Sequence, residues 1–106
     1  MALTRKTRHK EELSMPMASD EAFASIVAAF TRIGHIQSIQ EQSGHIAGSV
    51  GSGMLNMNNA DVTVQVQPDG ESRSKVIITA TAQEGLIPQN TAAKAISRLQ
   101  EAVQQM

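Results

Sequence analysis

Near the start of the chain, hydrophobic positions alternate with polar ones. Leu13, Met15 and Met17 fall at a spacing of two within residues 11–17, which is the period of a strand. Pro16 lacks an N–H, so this segment belongs at a sheet edge or ends a strand. The period then changes. Phe23, Ile26, Val27, Phe30 and Ile33 recur at i, i+3, i+4, i+7 and i+10, one apolar stripe of an amphipathic helix. Ser19 or Asp20 stands where an N-cap belongs, and Asp20 and Glu21 suit the positive end of the helix dipole. Gly34 stands where a left-handed residue closes a helix.

Beyond Gly34, residues 35–42 and 45–50 flank Ser43-Gly44, which predicts a hairpin with a two-residue turn. Alternation is imperfect there, with Ile36 and Ile39 on opposite parities. Gly48, Gly51 and Gly53 point to a bulge or bend in the second strand. Residues 51–60 make a loop of small residues. Val62, Val64 and Val66 alternate strictly, and Pro68-Asp69-Gly70-Glu71 is a turn in which Pro presets φ and Gly accepts positive φ. Residues 74–83 then put Val76, Ile78, Ala80 and Ala82 on one face of a strand. After Gly85-Leu86-Ile87-Pro88, Asn90 or Thr91 caps a second helix, whose stripe is Ala92, Ile96, Leu99, Val103 and Met106. The order is β-α-β-β-β-β-α. Hairpins in the middle imply an antiparallel sheet, and two amphipathic helices imply that both pack on one of its faces. The predicted class is α+β.

Composition narrows the function classes more than it names one. With 106 residues, 41% hydrophobic and 18% charged, the chain is one globular domain. It has no Cys, Trp or Tyr and only two Phe. That excludes a disulfide framework, a thiolate metal site and a Cys nucleophile, and leaves no aromatic platform for single-stranded nucleic acid. The net charge of −1 is unevenly spread. Arg5, Lys6, Arg8 and Lys10 give residues 1–10 a charge of +4, and residues 11–106 carry −5. The expectation is a flexible basic tail over 1–10 and a single domain over 11–106. The tail is a candidate contact for an acidic surface, although nucleic acid fits poorly with an acidic body. No apolar run reaches bilayer-spanning length, and the basic start has no apolar segment after it. The expected location is cytoplasmic, or the envelope if a native leader lies outside this chain.

A resemblance rests on Met-Ala-Ser-Asp-Glu-Ala-Phe (17–23), Phe30 through Gly34, Ser43-Gly44-His45-Ile46, the Val62–Val66 alternation and Gly85-Leu86 before a last helix. In this outline the chain resembles a group of small, largely uncharacterised bacterial α+β domains. These occur alone, beside short C-terminal oligomerisation segments, or in envelope lipoproteins. More distantly it is similar to the helix-grip domains of a lipoprotein of the outer-membrane barrel assembly machine. The resemblance implies a helix-grip-like arrangement. It carries no chemically specific motif, and no Cys is present for acylation.

No catalytic set emerges from the residues. His9, His35 and His45 are spaced too far apart to converge on a metal, and no His-Glu-x-x-His is present. The Gly48-Ser-Val-Gly51-Ser-Gly53 run has neither the dinucleotide nor the P-loop spacing and fits a bent strand better. Ser43, Ser49 and Ser52 lack a nucleophile-elbow context. The carboxylates fall at caps, turns and strand edges. Lys94, Arg98 and Glu101 read as a solvated helix face. No cofactor is implied.

Met54, Leu55 and Met57, with Leu86 and Ile87, are the candidate apolar contact or pocket mouth. The main reading is therefore a non-enzymatic bacterial interaction module whose partner is another protein or a second copy. Its alternative is a small carrier of an apolar ligand or lipid, gripped between helix and sheet. An enzyme ranks last.

Overall fold

The computed structural model describes residues 5–51, 59–84 and 90–105. Its elements follow the predicted order: β1 (Arg5–Met15), α1 (Ser19–Ile33), β2 (Gly34–Gln40), β3 (His45–Gly51), β4 (Asn59–Pro68), β5 (Ser74–Glu84) and α2 (Thr91–Gln104). The strands make one antiparallel sheet in the order β1-β5-β4-β3-β2. Successive hairpins make neighbours of β2 through β5. β1 precedes α1 in the chain and takes the open side of β5. Both helices pack on the same face, with α1 over β2, β3 and β4, α2 over β4, β5 and β1, and each against the other.

Period-two alternation builds the floor of the core. Val62, Val64, Val76, Ile78 and Ala80 point at the helices and are at most 2% exposed. Phe30 and Ile26 of α1 and Ile96 and Leu99 of α2 press on them and are as fully buried. Burying such aliphatic side chains contributes about 1.5–3 kcal/mol each. Ala60 and Ala80 on the sheet and Ala92, Ala95 and Ala102 on α2 are buried in the same core. Small side chains on both surfaces allow a helix and a sheet to approach closely.

Several local expectations are corrected. β1 starts at Arg5, so residues 5–10, read from sequence as tail, pair with β5 from Arg5↔Glu84 onward. Their polar side chains do not conflict with a strand, because a sheet edge with one solvated face accepts them. The β2–β3 loop spans residues 41–44, and His45 pairs with Gln40 rather than Gln42. The bulge lies in β2, between Ile36 and Ser38, while β3 runs in regular register through Gly51. That extra residue explains the broken alternation: Ile36 pairs with Gly48 and Ile39 with Ile46, so both fall on the helix side.

The helix ends differ too. Ala18 takes the N-cap position of α1 without a side-chain cap, and Gly34 is extended (φ −153°), already the first residue of β2. Asn90 caps α2 in the left-handed region (φ 55°), through its backbone rather than its side chain. Met106 lies outside the described residues.

Gly48 is where the core requires the absence of a side chain. A Cβ there would lie 2.9 Å from Phe30 Cε1 and 2.9 Å from Ile36 Cα, and would collide with the His35 carbonyl oxygen. Phe30 therefore packs directly on the backbone of β3.

Candidate functional site

In an antiparallel meander alternate turns fall at the same end of the sheet. The 41–44 loop, the 69–73 turn and the 16–18 connection into α1 accordingly meet at one end. Between them is a cleft of about 370 Å³, lined by residues 19, 20, 23, 41–44 and 65–68. Its apolar part is Phe23, Val66 and Pro68. Phe23 and Val66 are otherwise buried, at 8% and 5% exposed. Its rim is polar: Ser19 and Asp20 from the start of α1, Glu41, Gln42 and Ser43 from the loop, and Gln65 and Gln67 from β4.

Backbone geometry holds the rim in place. Gly44 adopts φ 70°, which favours glycine. Its N–H donates to Glu41 O at 3.2 Å, and its carbonyl accepts from Val66 N–H at 2.8 Å. The Gln65 side-chain amide donates to Ser43 O, and Ser43 Oγ donates to Gln40 O at 3.3 Å. The loop is thus tied to β4 by main chain and side chain together. At the other wall, Asp20 Oδ1 accepts from Glu21 N–H at 2.9 Å. The rim holds two carboxylates, Asp20 and Glu41, and no Lys, Arg or His. Such a cleft can shield an apolar body and offer hydrogen-bond acceptors to its polar edges. It disfavours an anion.

The cleft was not among the sequence candidates. Phe23 and Val66 read as core, and Gly44 and Pro68 as turn residues. The signal that finds them is topological, since both turn motifs and the helix start must share one end of the sheet.

Met54, Leu55, Met57, Leu86 and Ile87 lie outside the described residues. The chain enters and leaves both segments at the opposite end of the sheet. Gly51 pairs with Asn59 there, and Thr81 pairs with Asp61 close by. Arg98, read from sequence as part of a solvated face, is tied to that end: its guanidinium donates to Gly51 O. Of the basic candidates, Arg5 begins β1, and Lys6, Arg8 and Lys10 are exposed on the sheet face away from the helices. Lys6 and Arg8 border a shallow groove with Asp61, Thr63, Thr79 and Thr81.

Among the described residues no three of His, Asp and Glu group as metal ligands. His9 instead meets Glu11 at 3.1 Å. His35 pairs with Ser49 while His45 pairs with Gln40, several positions apart along the hairpin. Gly48 and Gly51 lie inside β3, and Gly53 lies outside the described residues. Among the described residues no helix is long and apolar enough to cross a membrane.

No protein-family model matches the sequence, and no curated protein is significantly similar to it. Solved structures are similar to it, and the likeness in fold rests on the first. One is the di-domain ARO/CYC BexL from the BE-7585A biosynthetic pathway, at 10% identity and a TM-score of 0.55, over 93% of this chain and 42% of that one. Another is the Zhui aromatase/cyclase from Streptomyces sp. R1128, at 10% identity and a TM-score of 0.46, over 95% of this chain and 86% of that one. The chain thus spans under half the length of BexL. The fold is α+β and helix-grip-like, as the sequence outline implied. The expectation that the chain is not an enzyme is overturned by this likeness, because the same architecture serves an aromatase/cyclase. The lack of a catalytic motif in this sequence therefore excludes no activity, and the shared fold assigns none.

Proposed function

We propose that the chain is a small-molecule-binding domain whose ligand has a flat, mostly apolar body and hydrogen-bond donors at its edge. One observation carries this reading: the cleft of about 370 Å³ with Phe23 and Val66 at its base and a polar, cation-free rim. That volume is at the small end of ordinary ligand sites, and an apolar base with a few convergent polar groups is their usual make-up. The likeness to BexL supports a ring-shaped ligand, since ARO/CYC, aromatase/cyclase, denotes ring closure and aromatisation. Among the readings open from sequence, the ligand-binding alternative thereby moves ahead of the interaction module. Its entrance moves from residues 54–57 and 86–87 to the 41–44 and 65–68 walls. The bacterial setting rests on the resemblance alone.

The test is a titration followed by amide NMR with naphthol, naphthylamine and naphthoate as probes. Naphthol and naphthylamine should shift the amides of Phe23, Gly44 and Val66. Naphthoate, whose carboxylate would face Asp20 and Glu41, should shift them least. Gln42→Trp, at an exposed position of the loop wall, should fill the cleft and abolish the shifts while the protein stays folded. Shifts that avoid these residues, or that survive Gln42→Trp, would overturn the assignment.

A further inference from the structure

The two edges of the sheet are built differently. β2 is seven residues long and bulged between Ile36 and Ser38, a device that blunts an edge against further pairing. β1 is 11 residues long and holds unbroken register with β5 from Arg5↔Glu84 to Met15↔Ser74. It presents a full-length row of backbone N–H and C=O groups, with no strand on its outer side among the described residues. Such a row is a template for strand addition.

The charges along β1 say which strand fits. Its first half carries Lys6, Arg8 and Lys10 and its second half Glu11 and Glu12. Laid antiparallel against a copy of itself, the basic half meets the acidic half. The register that pairs the whole strand is centred on Lys10. It sets Arg8 opposite Glu12 and His9 opposite Glu11, each twice, and Lys6 opposite Ser14. The one like-charge contact is Lys10 against Lys10 on the axis. A parallel alignment instead sets Arg8 against Arg8 and Glu12 against Glu12. Opposite charges directly across a strand pair stabilise it, and like charges oppose it.

Glu12 is ready for a second cation. Its Oε1 lies 2.8 Å from Lys75 Nζ, which leaves Oε2 for an arginine arriving from the open side. The net charge of −1 adds little repulsion between copies. A two-fold axis normal to the sheet keeps the helices of both copies on the same face. We propose that the chain forms a homodimer by antiparallel pairing of β1 with β1 of a second copy. The product is a continuous ten-stranded sheet whose register is set by Arg8 of each copy against Glu12 of the other.

The experiment is sedimentation equilibrium of the full chain, from about 10 μM to about 1 mM, a range that brackets a dissociation constant of about 100 μM. Wild type should dimerise with concentration. Arg8→Glu turns two attractive cross-strand pairs into repulsive ones and should weaken the dimer about tenfold or more. Glu12→Arg should do the same. An equimolar mixture of the two variants should recover a heterodimer of near wild-type affinity, because both pairs are then opposite in sign. Lys10→Thr removes the axial repulsion and should tighten association. All three positions are exposed, and circular dichroism checks that each variant is folded. Hydrogen exchange supplies an independent readout. Alternate amides of β1, those not bonded to β5, should gain protection as concentration rises. A monomer throughout the range would overturn the proposal. So would a dimer that Arg8→Glu leaves unchanged, or one in which those amides exchange as in the monomer.

Discussion

Gly48→Ala is the sharpest test of how the core is assembled. Replacing a strand glycine ordinarily helps, by about 0.5–1 kcal/mol, because the unfolded chain loses freedom. Here the added methyl would lie 2.9 Å from Phe30 Cε1 and 2.9 Å from Ile36 Cα, and would strike the His35 carbonyl oxygen. Two of those three neighbours are backbone and cannot swing away. Overpacking of this kind costs about 1–3 kcal/mol, and the backbone collision places this case at the upper end. The net loss should be about 2 kcal/mol after the entropic gain. For a domain of this size that lowers Tm by roughly 8–16 °C. Thermal and urea unfolding measure it directly. Phe30→Leu in the Gly48→Ala background should recover part of the loss, so a double-mutant cycle should be non-additive by about 0.5 kcal/mol or more. A Gly48→Ala protein as stable as wild type would show that Phe30 does not rest on β3.

The remaining predictions concern other parts of the fold. Arg98→Ala removes the donor to Gly51 O and should cost about 1–2 kcal/mol by urea unfolding, with faster amide exchange at the end of β3. Leu99→Ala leaves a cavity between α2 and the sheet where the wild-type side chain is fully buried, and should cost about 2–5 kcal/mol in the same assay. The hydrogen bond to Glu12, followed by its charge, holds Lys75 above its ordinary value of 10.5. A group raised on folding stabilises the fold below its unfolded pKa and loses that contribution as pH rises through the folded value. The Tm difference between wild type and Lys75→Met should therefore stay constant from about pH 6 to about pH 9 and fade only as pH rises past the ordinary lysine value of 10.5. A difference that fades near neutrality would refute that assignment.

Much of the fold is legible in the sequence because the physics is local. A strand whose Val62, Val64 and Val66 alternate must bury one face, and Phe23, Ile26 and Phe30 must share one side of a helix. Those periods give the class, the order and the helix-covered face without any long-range information. The break in alternation between Ile36 and Ile39 is visible too, but the glycines of β3 offer a competing cause for it. Only the pairing of Ile36 with Gly48 and Ile39 with Ile46 shows that β2 carries the extra residue. Glycine is a poor guide here because it serves two ends: it permits a bulge, and at 48 it admits Phe30 against a regular strand.

The start of β1 is hidden for a related reason. Lys6, Arg8 and Lys10 lack the hydrophobic partners that mark a strand, and their place in the sheet follows from β5, whose 11 residues extend far enough to pair them. The cleft is hidden because each of its residues has an adequate local explanation. Phe23 belongs to a helix stripe, Val66 to a strand, and Gly44 and Pro68 to turns. Motif reading assigns each residue one role, whereas this cleft arises where three chain reversals meet. A search for function in a small antiparallel domain therefore gains by asking first which turns must share an end of the sheet. In this chain that question sets Asp20 and Glu41 beside Phe23 and Val66, at the end of the sheet opposite to the Gly51–Asn59 pair.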